Sequence, residues 1–242
     1  MTRLFFYCFI FPFLLFSQEL SKYIPKQFTI VSAPIDSIVP RIFTSGSRSE
    51  KRIALTFDAC ANTYRSKYDS AVIGILIRTR TPATLFISGK WAVEHLKETK
   101  FLGQQHLFEI GNHSFIHPHF PQISKSRMNE ELQLTQNVLF TLTKKIPKIF
   151  RSPYGEINDT IVRSAALFGM TTVAYDLPSG DPDTLVTKQK LIDYVSAKTK
   201  NGSVIVMHMN KRGWHTAEAL PEIIERLRKR GFVFVTISEL MQ

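Results

Sequence analysis

The stretch RIALTFD, Arg52 to Asp58, gives the first clear indication of the fold. Its first six residues, RIALTF, are a short run rich in apolar and β-branched residues, which is typical of a buried strand. Six similar runs follow along the chain: ATLFIS, LFEIG, KIF, TTVAY, SVIVM and FVFVTI. The sequence therefore predicts seven strands.

The segments between these runs have helical periodicity, because apolar residues recur every three or four positions. Five helices are predicted: Tyr68 to Thr79, Ser126 to Thr143, Asp159 to Phe168, Thr187 to Thr199 and Glu218 to Arg230. Strands that alternate with helices indicate a parallel sheet covered by helices, either an open doubly wound sheet or a barrel. A chain of 242 residues, 44% of them hydrophobic, can bury such a core in one domain.

The chain begins with the features of a secretory signal peptide. Arg3 precedes an apolar run from Leu4 to Phe16, and the small residue Ser17 follows it. This run is shorter than the roughly 20 residues that a membrane-spanning helix needs, so we interpret residues 1–17 as a cleaved signal, with an uncleaved anchor as the alternative. We therefore expect export to a periplasmic, secreted or envelope-associated location, with no stable membrane span after cleavage.

The rest of the chain divides into two parts. Residues 18–50 contain three prolines and end in TSGSRSE, which indicates an N-terminal arm, and residues 51–242 form the predicted domain. Signal cleavage removes Cys8 and leaves Cys60 as the only cysteine, so the mature chain cannot form an intramolecular disulfide.

The formal net charge of +11 favours an acidic partner. A basic exported protein suits an acidic cell envelope, a wall polymer or a membrane surface. The sequence has no helix-turn-helix, zinc-finger or RNP signature, and export also argues against nucleic acid as the partner.

Reactive side chains recur where the predicted strands end. Asp58 follows the first strand, His113 the third, Arg151 ends the fourth, Asp176 follows the fifth and His208 ends the sixth. The C-terminal ends of parallel strands face the same way, so these residues are expected to meet at one rim. An acid, an arginine and several histidines that converge there indicate a catalytic site.

Three of the seven histidines lie in the segment EIGNHSFIHPHF, Glu109 to Phe120. His113 and His117 are four residues apart, so one helical turn would place both imidazoles on the same side, as two nitrogen ligands of zinc or a similar ion require. Pro118 works against a longer helix, because proline disfavours the helical conformation in the residue before it.

The other rim residues suit acid and base catalysis. Asp58 follows the apolar ALTF, where partial desolvation would let it act as a base, and Arg151 can hold that carboxylate through a fork of donors. Tyr154 lies between Pro153 and a glycine, which indicates a turn with exposed amides that can stabilise an oxyanion. His208 is placed as a proton donor.

Five motifs, TFDAC, NHSFIHP, RSPYG, SGDP and VMH, occur in this order between Thr56 and His208. Together they resemble the successive motifs of the polysaccharide deacetylases, the NodB-homology group known as carbohydrate esterase family four. The resemblance extends from about Arg52 to Leu240, because GWHTAEALPEII and GFVFVTISEL also look like the end of such a domain.

The resemblance implies a distorted (β/α) barrel with about seven parallel strands, and a metal-dependent hydrolase that removes acetyl groups from N-acetylated sugars. Asp58 would be the general base that activates the attacking water, and Arg151 would orient it. The backbone amide of Tyr154 would help to stabilise the tetrahedral oxyanion, and His208 would protonate the leaving amine.

The resemblance also implies a divalent metal ion, with zinc as the first choice and His113 and His117 as ligands. In the family a second aspartate after the base is the third ligand, but this chain has Ala59 there, and a methyl group cannot bind a cation. Besides a water molecule, three side chains are candidates for the missing ligand: Asp181, which is preferred, Asp176 and Cys60.

A second departure concerns the carboxylate that tunes the acid histidine in the family. Its position, three residues before Asp181, is occupied by Pro178, and Asp176 lies two residues earlier, on the same side if the strand continues. Three further residues are candidates for substrate binding or for tuning of the site: Pro153, Trp214 and His215.

The leading hypothesis is an exported deacetylase that acts on an N-acetylated polysaccharide or a peptidoglycan-type glycan. One alternative is a catalytically impaired, glycan-binding pseudoenzyme, motivated by Ala59 and Pro178. Another is a deformylase or amidase that acts on a small or lipid-linked sugar, since the same amide-cleaving chemistry would serve it.

Overall fold

The computed structural model describes residues 39–61 and 67–242, and the predicted signal peptide lies outside these ranges. The described residues form nine strands: β1 (Ile42–Phe43), β2 (Arg52–Ala59), β3 (Ala83–Ile87), β4 (Phe108–Asn112), β5 (Ile149–Phe150), β6 (Thr171–Val173), β7 (Leu177–Pro178), β8 (Val204–His208) and β9 (Val233–Phe234). The seven predicted strands correspond to β2 to β6, β8 and β9. The strands β1 and β7 are only two residues long, too short for a sequence pattern to indicate them.

The same residues form eight α-helices: α1 (Ser70–Arg78), α2 (Gly89–Glu94), α3 (Leu96–Gln104), α4 (Lys125–Thr143), α5 (Asp159–Leu167), α6 (Lys188–Lys198), α7 (Thr216–Lys229) and α8 (Ile237–Leu240). The five predicted helices are α1 and α4 to α7. The last predicted strand is shorter than expected, because Thr236 caps α8 by accepting a hydrogen bond from the N–H of Glu239. Within the described ranges, we find no helix long and apolar enough to span a membrane.

The strands form one parallel sheet in the order β1, β6, β5, β4, β3, β2, β8 and β7, and β9 pairs with the beginning of β2. The sheet is curled, which confirms the predicted distorted (β/α) barrel. The strand β1 comes from the segment predicted as an arm, and it pairs with β6. The sheet therefore begins before residue 51.

Alternate residues of a strand face opposite sides of the sheet, and this decides which of them can reach the barrel interior. The odd-numbered residues from Ile53 to Ala59 belong to a large apolar cluster that includes residues of α1, α6 and α7. On the other face, Ala54 packs in a smaller cluster with Phe86 and Val204. His208 is four residues after Val204 in β8, so it shares this inner face.

Candidate active site

The C-terminal ends of β2, β4, β5 and β8 surround a cleft of about 220 Å³. Asp58 in β2 lies directly opposite His208 in β8. The backbone N–H of Arg151 donates to the carbonyl of Asn112, the last residue of β4, at 3.0 Å. The backbone N–H of His113 donates to the carbonyl of Ile87, the last residue of β3, at 3.2 Å. Six of the predicted site residues line the cleft: Asp58, His113, His117, Tyr154, Asp181 and His208.

Arg151 holds Asp58 inside the barrel. Its Nη1 donates to Oδ1 of Asp58 at 2.8 Å and to Oγ1 of Thr56 at 2.7 Å, so one nitrogen serves both partners and the expected two-pronged fork is not formed. Burial by itself would raise the pKa of Asp58, but the charge of Arg151, with smaller contributions from two nearby histidines, outweighs burial and lowers the pKa below 3.8. Asp58 is therefore a carboxylate at neutral pH.

His113 and His117 come together through a loop. Strand β4 ends at Asn112, and both Ser114 and His117 have left-handed backbone, with φ of 59° and 61°. The two imidazole rings meet edge to face, with centroids 4.8 Å apart. The expected proximity of the imidazoles is present, but the explanation by a helical turn is wrong.

Cys60 is the third member of this cluster. Its Sγ lies 3.6 Å from Nε2 of His113, and the candidate donor atoms of Cys60, His113 and His117 all lie within 4.8 Å of one another. All three residues are buried. Burial alone would raise the pKa of the Cys60 thiol, but hydrogen bonds from three histidines lower it well below 9.0, which favours the thiolate.

The alternation along β2 explains why Cys60 reaches the cluster and Ala59 does not. The strand was expected to end at Phe57, but it continues to Ala59. Asp58 and Cys60 are two residues apart and both line the cleft, whereas Ala59 is fully buried in the apolar cluster on the opposite face.

The donor atoms of this cluster suit a divalent ion such as zinc, because imidazole nitrogen and thiolate sulfur are both zinc ligands. Nδ1 of His113 lies 2.9 Å from the carbonyl oxygen of Arg151, which accepts the ring N–H and leaves Nε2 free on the side of Cys60. Three protein ligands leave a fourth position open, as in catalytic zinc sites. The residues therefore fit the metal that the family resemblance implies.

Asp181 binds His208 and does not belong to the metal cluster. Its Oδ1 lies 2.9 Å from Nδ1 of His208, and its Oδ2 accepts hydrogen bonds from the N–H of His208 at 2.8 Å and from Thr216 at 2.6 Å. Burial alone would lower the pKa of His208, but Asp181 raises it well above 6.5. The structure therefore places Asp181 outside the group of potential metal ligands for which it was predicted, and against His208, where the sequence analysis expected the tuning carboxylate at the position of Pro178.

Asp176 lies at the opposite end of the barrel. Its Oδ1 accepts a hydrogen bond from the N–H of Val204, the first residue of β8, at 2.7 Å, and its Oδ2 accepts one from Arg48 at 2.8 Å. The length of β8 separates this carboxylate from His208, the last residue of the strand. The predictions that Asp176 shares the rim, replaces the missing ligand or tunes His208 are therefore wrong.

The turn after β5 presents Tyr154 at the mouth of the cleft. Pro153–Gly155 form a single 3-10 turn, in which Tyr154 has a left-handed φ of 58° and is 50% exposed. Its ring stacks on that of His119, with centroids 3.8 Å apart, and His119 is paired with Glu156 at 2.8 Å. The amide of Tyr154 is in the first turn, where N–H groups lack partners within the helix. The oxyanion role of this amide stays a prediction.

The other three candidates are not among the described residues that line the cleft. Pro153 is buried in the turn. Trp214 is 42% exposed, and its backbone N–H donates to the backbone carbonyl of Asp181 at 3.0 Å. His215 precedes α7, with Nδ1 3.3 Å from Glu218. Their roles in substrate binding or tuning stay predictions.

Glu131 in α4 anchors the histidine loop, although no sequence pattern indicated it. The residue is fully buried. Its Oε2 accepts hydrogen bonds from the N–H groups of Phe115 at 2.7 Å and Ile116 at 2.8 Å, and its Oε1 accepts one from Arg127 at 2.5 Å. A glutamate in a predicted helix ordinarily indicates a solvated face, so only the fold identifies this one.

Glu131→Ala is expected to weaken both the fold and metal binding. Two backbone N–H groups would lose their acceptor, which costs roughly 1–3 kcal/mol for each group left unsatisfied. The loop that carries His113 and His117 would lose its anchor, and we expect zinc affinity to fall at least about tenfold. Denaturant unfolding and competition titration with zinc measure the two effects.

Glu130→Ala is the matched control. Glu130 is 54% exposed and pairs with Arg127 at 2.8 Å, so its loss is expected to cost less than about 1 kcal/mol and to leave zinc affinity unchanged. Equal effects in the Glu130 and Glu131 variants would contradict the anchoring role.

The fold and the cleft define a class of protein: a (β/α) barrel with a buried carboxylate, a carboxylate-paired histidine and a cluster of side chains that could hold a metal ion. The model of the polysaccharide deacetylase family matches residues 45–173, more than half of the chain. The chain belongs to the polysaccharide deacetylase family, whose members are hydrolases.

Comparison with individual relatives finds both an enzyme and a pseudoenzyme. The chain is 30% identical over 201 residues to a peptidoglycan-N-acetylglucosamine deacetylase of Bacillus cereus. The aligned region covers 80% of this chain and 90% of the relative. It is 28% identical over 216 residues to an uncharacterized protein of Bacillus subtilis, across 87% of this chain but only 63% of that protein. A CE4 family pseudoenzyme from Bacillus anthracis has a similar structure, with a TM-score of 0.76 and 26% identity, over 86% of this chain and 71% of that one.

Proposed function

We propose that this chain is an exported, metal-dependent hydrolase that removes N-acetyl groups from a cell-envelope or cell-wall polysaccharide. The observation that carries the proposal is the pairing of Asp58 with His208 across β2 and β8, beside a cluster of metal-binding side chains in the same cleft. Hydrolysis of an amide needs a base for the attacking water and an acid for the leaving amine. The two facing residues supply these groups.

Asp58 is the base in this proposal. Its pKa is low, so it is ionised, and Arg151 fixes one carboxylate oxygen while the other remains available to the cleft. Oδ2 of Asp58 lies 3.8 Å from Nε2 of His113, which places it next to the metal cluster. A divalent ion held there would supply Lewis-acid polarisation of the amide carbonyl and positive charge for the oxyanion.

His208 is the acid. Asp181 accepts its Nδ1–H, which leaves Nε2 to carry the proton that is transferred to the amine nitrogen as the C–N bond breaks. The raised pKa of His208 favours the protonated imidazole that this role requires. The amide of Tyr154, which also lines the cleft, contributes a hydrogen bond to the oxyanion.

The substrate and the location rest on the sequence and on the relatives. The predicted signal at residues 1–17 and the net charge of +11 favour export to an acidic envelope. The Bacillus cereus relative is named for peptidoglycan N-acetylglucosamine, an N-acetylated glycan of the kind proposed here.

The exported protein is expected to begin near residue 18, and N-terminal sequencing measures this.

The direct test incubates the full chain with zinc and either N-acetylchitooligosaccharides or peptidoglycan, and measures acetate and free amine. We expect equal amounts of the two products, and loss of both when a chelator removes the metal. A folded, zinc-loaded protein that releases no acetate from either substrate would contradict the proposal. An N-formylated sugar in parallel tests the alternative of a deformylase.

A glycan-binding pseudoenzyme is the second candidate, favoured by the structural similarity to the Bacillus anthracis pseudoenzyme. The two departures that motivated it, Ala59 and Pro178, are matched in the structure by Cys60 and Asp181, which lie in the same cleft. Binding of the same oligosaccharides without acetate release would favour this candidate.

A further inference from the structure

The metal cluster has a sulfur donor, whereas the family pattern has a carboxylate. We propose that the thiolate of Cys60 is the third protein ligand of the metal, and that the site consequently selects thiophilic divalent ions such as zinc and cobalt over magnesium and manganese. This inference rests on the metal dependence in the proposed function. It concerns the composition of the site and not the reaction that the site performs.

The geometry of the cluster supports a ligand role for Cys60. Its Sγ faces Nε2 of His113 at 3.6 Å, close enough for one ion to contact both atoms after a small movement, since zinc binds sulfur at about 2.3 Å and nitrogen at about 2.0–2.1 Å. The carbonyl of Arg151 accepts the other ring N–H of His113 and so fixes the orientation of the imidazole. The side chain of Cys60 is 3% exposed, so it is not a surface thiol.

The carboxylates near the cleft already have other partners. Both oxygens of Asp181 accept hydrogen bonds, from His208, Thr216 and Ser179. Oδ1 of Asp58 accepts a hydrogen bond from Arg151, and this residue is the proposed base. Among the described residues, the only group of three or more potential ligands that lie close together is Cys60 with the two histidines.

The donor set determines which metals bind. Magnesium and calcium take oxygen ligands, and manganese shares this preference for carboxylate, carbonyl and water. Thiolate and imidazole ligands favour zinc and similar thiophilic ions. Replacement of a carboxylate by a thiolate therefore shifts the preference of the site toward thiophilic ions.

Cobalt binding to the full chain tests the proposal directly, because a thiolate bound to cobalt produces a ligand-to-metal charge-transfer absorption that histidine and carboxylate do not. We expect this band in the wild type and its loss in Cys60→Ser, with zinc affinity reduced at least about 100-fold, beyond the 10- to 100-fold range for outer partners. Cys8→Ser is the matched control, because it removes the only other cysteine, and it is expected to keep the band.

Cys60→Ala serves as a second variant in case serine disturbs the buried site, and near-ultraviolet circular dichroism reports whether each variant is folded. A folded Cys60→Ala that binds zinc as tightly as the wild type would overturn the proposal, as would a wild type without the charge-transfer band. A wild type that binds magnesium as tightly as zinc would overturn the selectivity.

The outcomes separate this inference from the proposed function. Acetate release by a cobalt-loaded protein without the band would remove Cys60 as ligand and leave the deacetylase proposal intact. The band without acetate release would confirm the thiolate ligand and contradict the deacetylase.

Discussion

Asp58→Asn is expected to lower the rate of acetate release by about 10²- to 10⁴-fold, the contribution of a positioned general base. The amide keeps the shape of the side chain and can still accept the hydrogen bond from Arg151, but it cannot take a proton from water. Initial rates of acetate release from N-acetylchitooligosaccharides, measured at saturating zinc, give the effect. A rate near that of the wild type would show that the base is elsewhere.

The substitution also affects stability, because Arg151 is 1% exposed and would lose the charge that neutralises it. Removal of one partner from a buried ion pair costs about 3–5 kcal/mol, and the retained hydrogen bond should reduce this cost. Rates must therefore be expressed per folded protein. Thr56→Val is the control, since it removes a hydrogen-bond partner of Arg151 at 2.7 Å but leaves the base in place. Equal rates in the two variants would show that the loss reflects a displaced Arg151.

Ala59→Asp is expected to destabilise the protein by roughly 3–5 kcal/mol without tightening metal binding, because it buries an unpaired charge. The pattern of the family alone suggests the opposite, since it restores the usual carboxylate. In this structure Ala59 is fully buried in the apolar cluster beneath the helices, and Cys60 occupies the face that points to the histidines. Denaturant unfolding and calorimetric zinc titration of the two proteins measure both quantities.

Ala59→Asn separates charge from size, because asparagine has the same shape as aspartate. We expect it to destabilise less than Ala59→Asp, since a neutral amide costs less to bury than a carboxylate. A stable Ala59→Asp protein that binds zinc more tightly than the wild type would mean that residue 59 reaches the metal and that Cys60 does not replace the aspartate.

Much of the catalytic cleft could be predicted because its residues follow strands. Asp58, Arg151 and His208 lie at the C-terminal ends of parallel strands, and a parallel sheet brings such ends to one rim whatever their separation in sequence. Asp176 shows the limit of this argument. It follows the short strand β6, but the chain continues into β7, and the Asp176 carboxylate binds the first residue of β8 at the opposite end.

The sequence by itself determined the alternation of strands and helices and, through the family resemblance, the barrel, and it predicted that Asp58, His208 and the two histidines meet in one cleft. These features depend on local periodicity and on motifs that a single segment contains. The tertiary structure decided which carboxylate binds His208, which residue joins the histidines and how their loop is held. Nothing in the local sequence distinguishes Asp181, Cys60 and Glu131 from other buried or helical residues. Only the residues that they contact in the folded chain do so. Those contacts join residues 15 to 53 positions apart, a distance over which neither helical nor strand periodicity carries information.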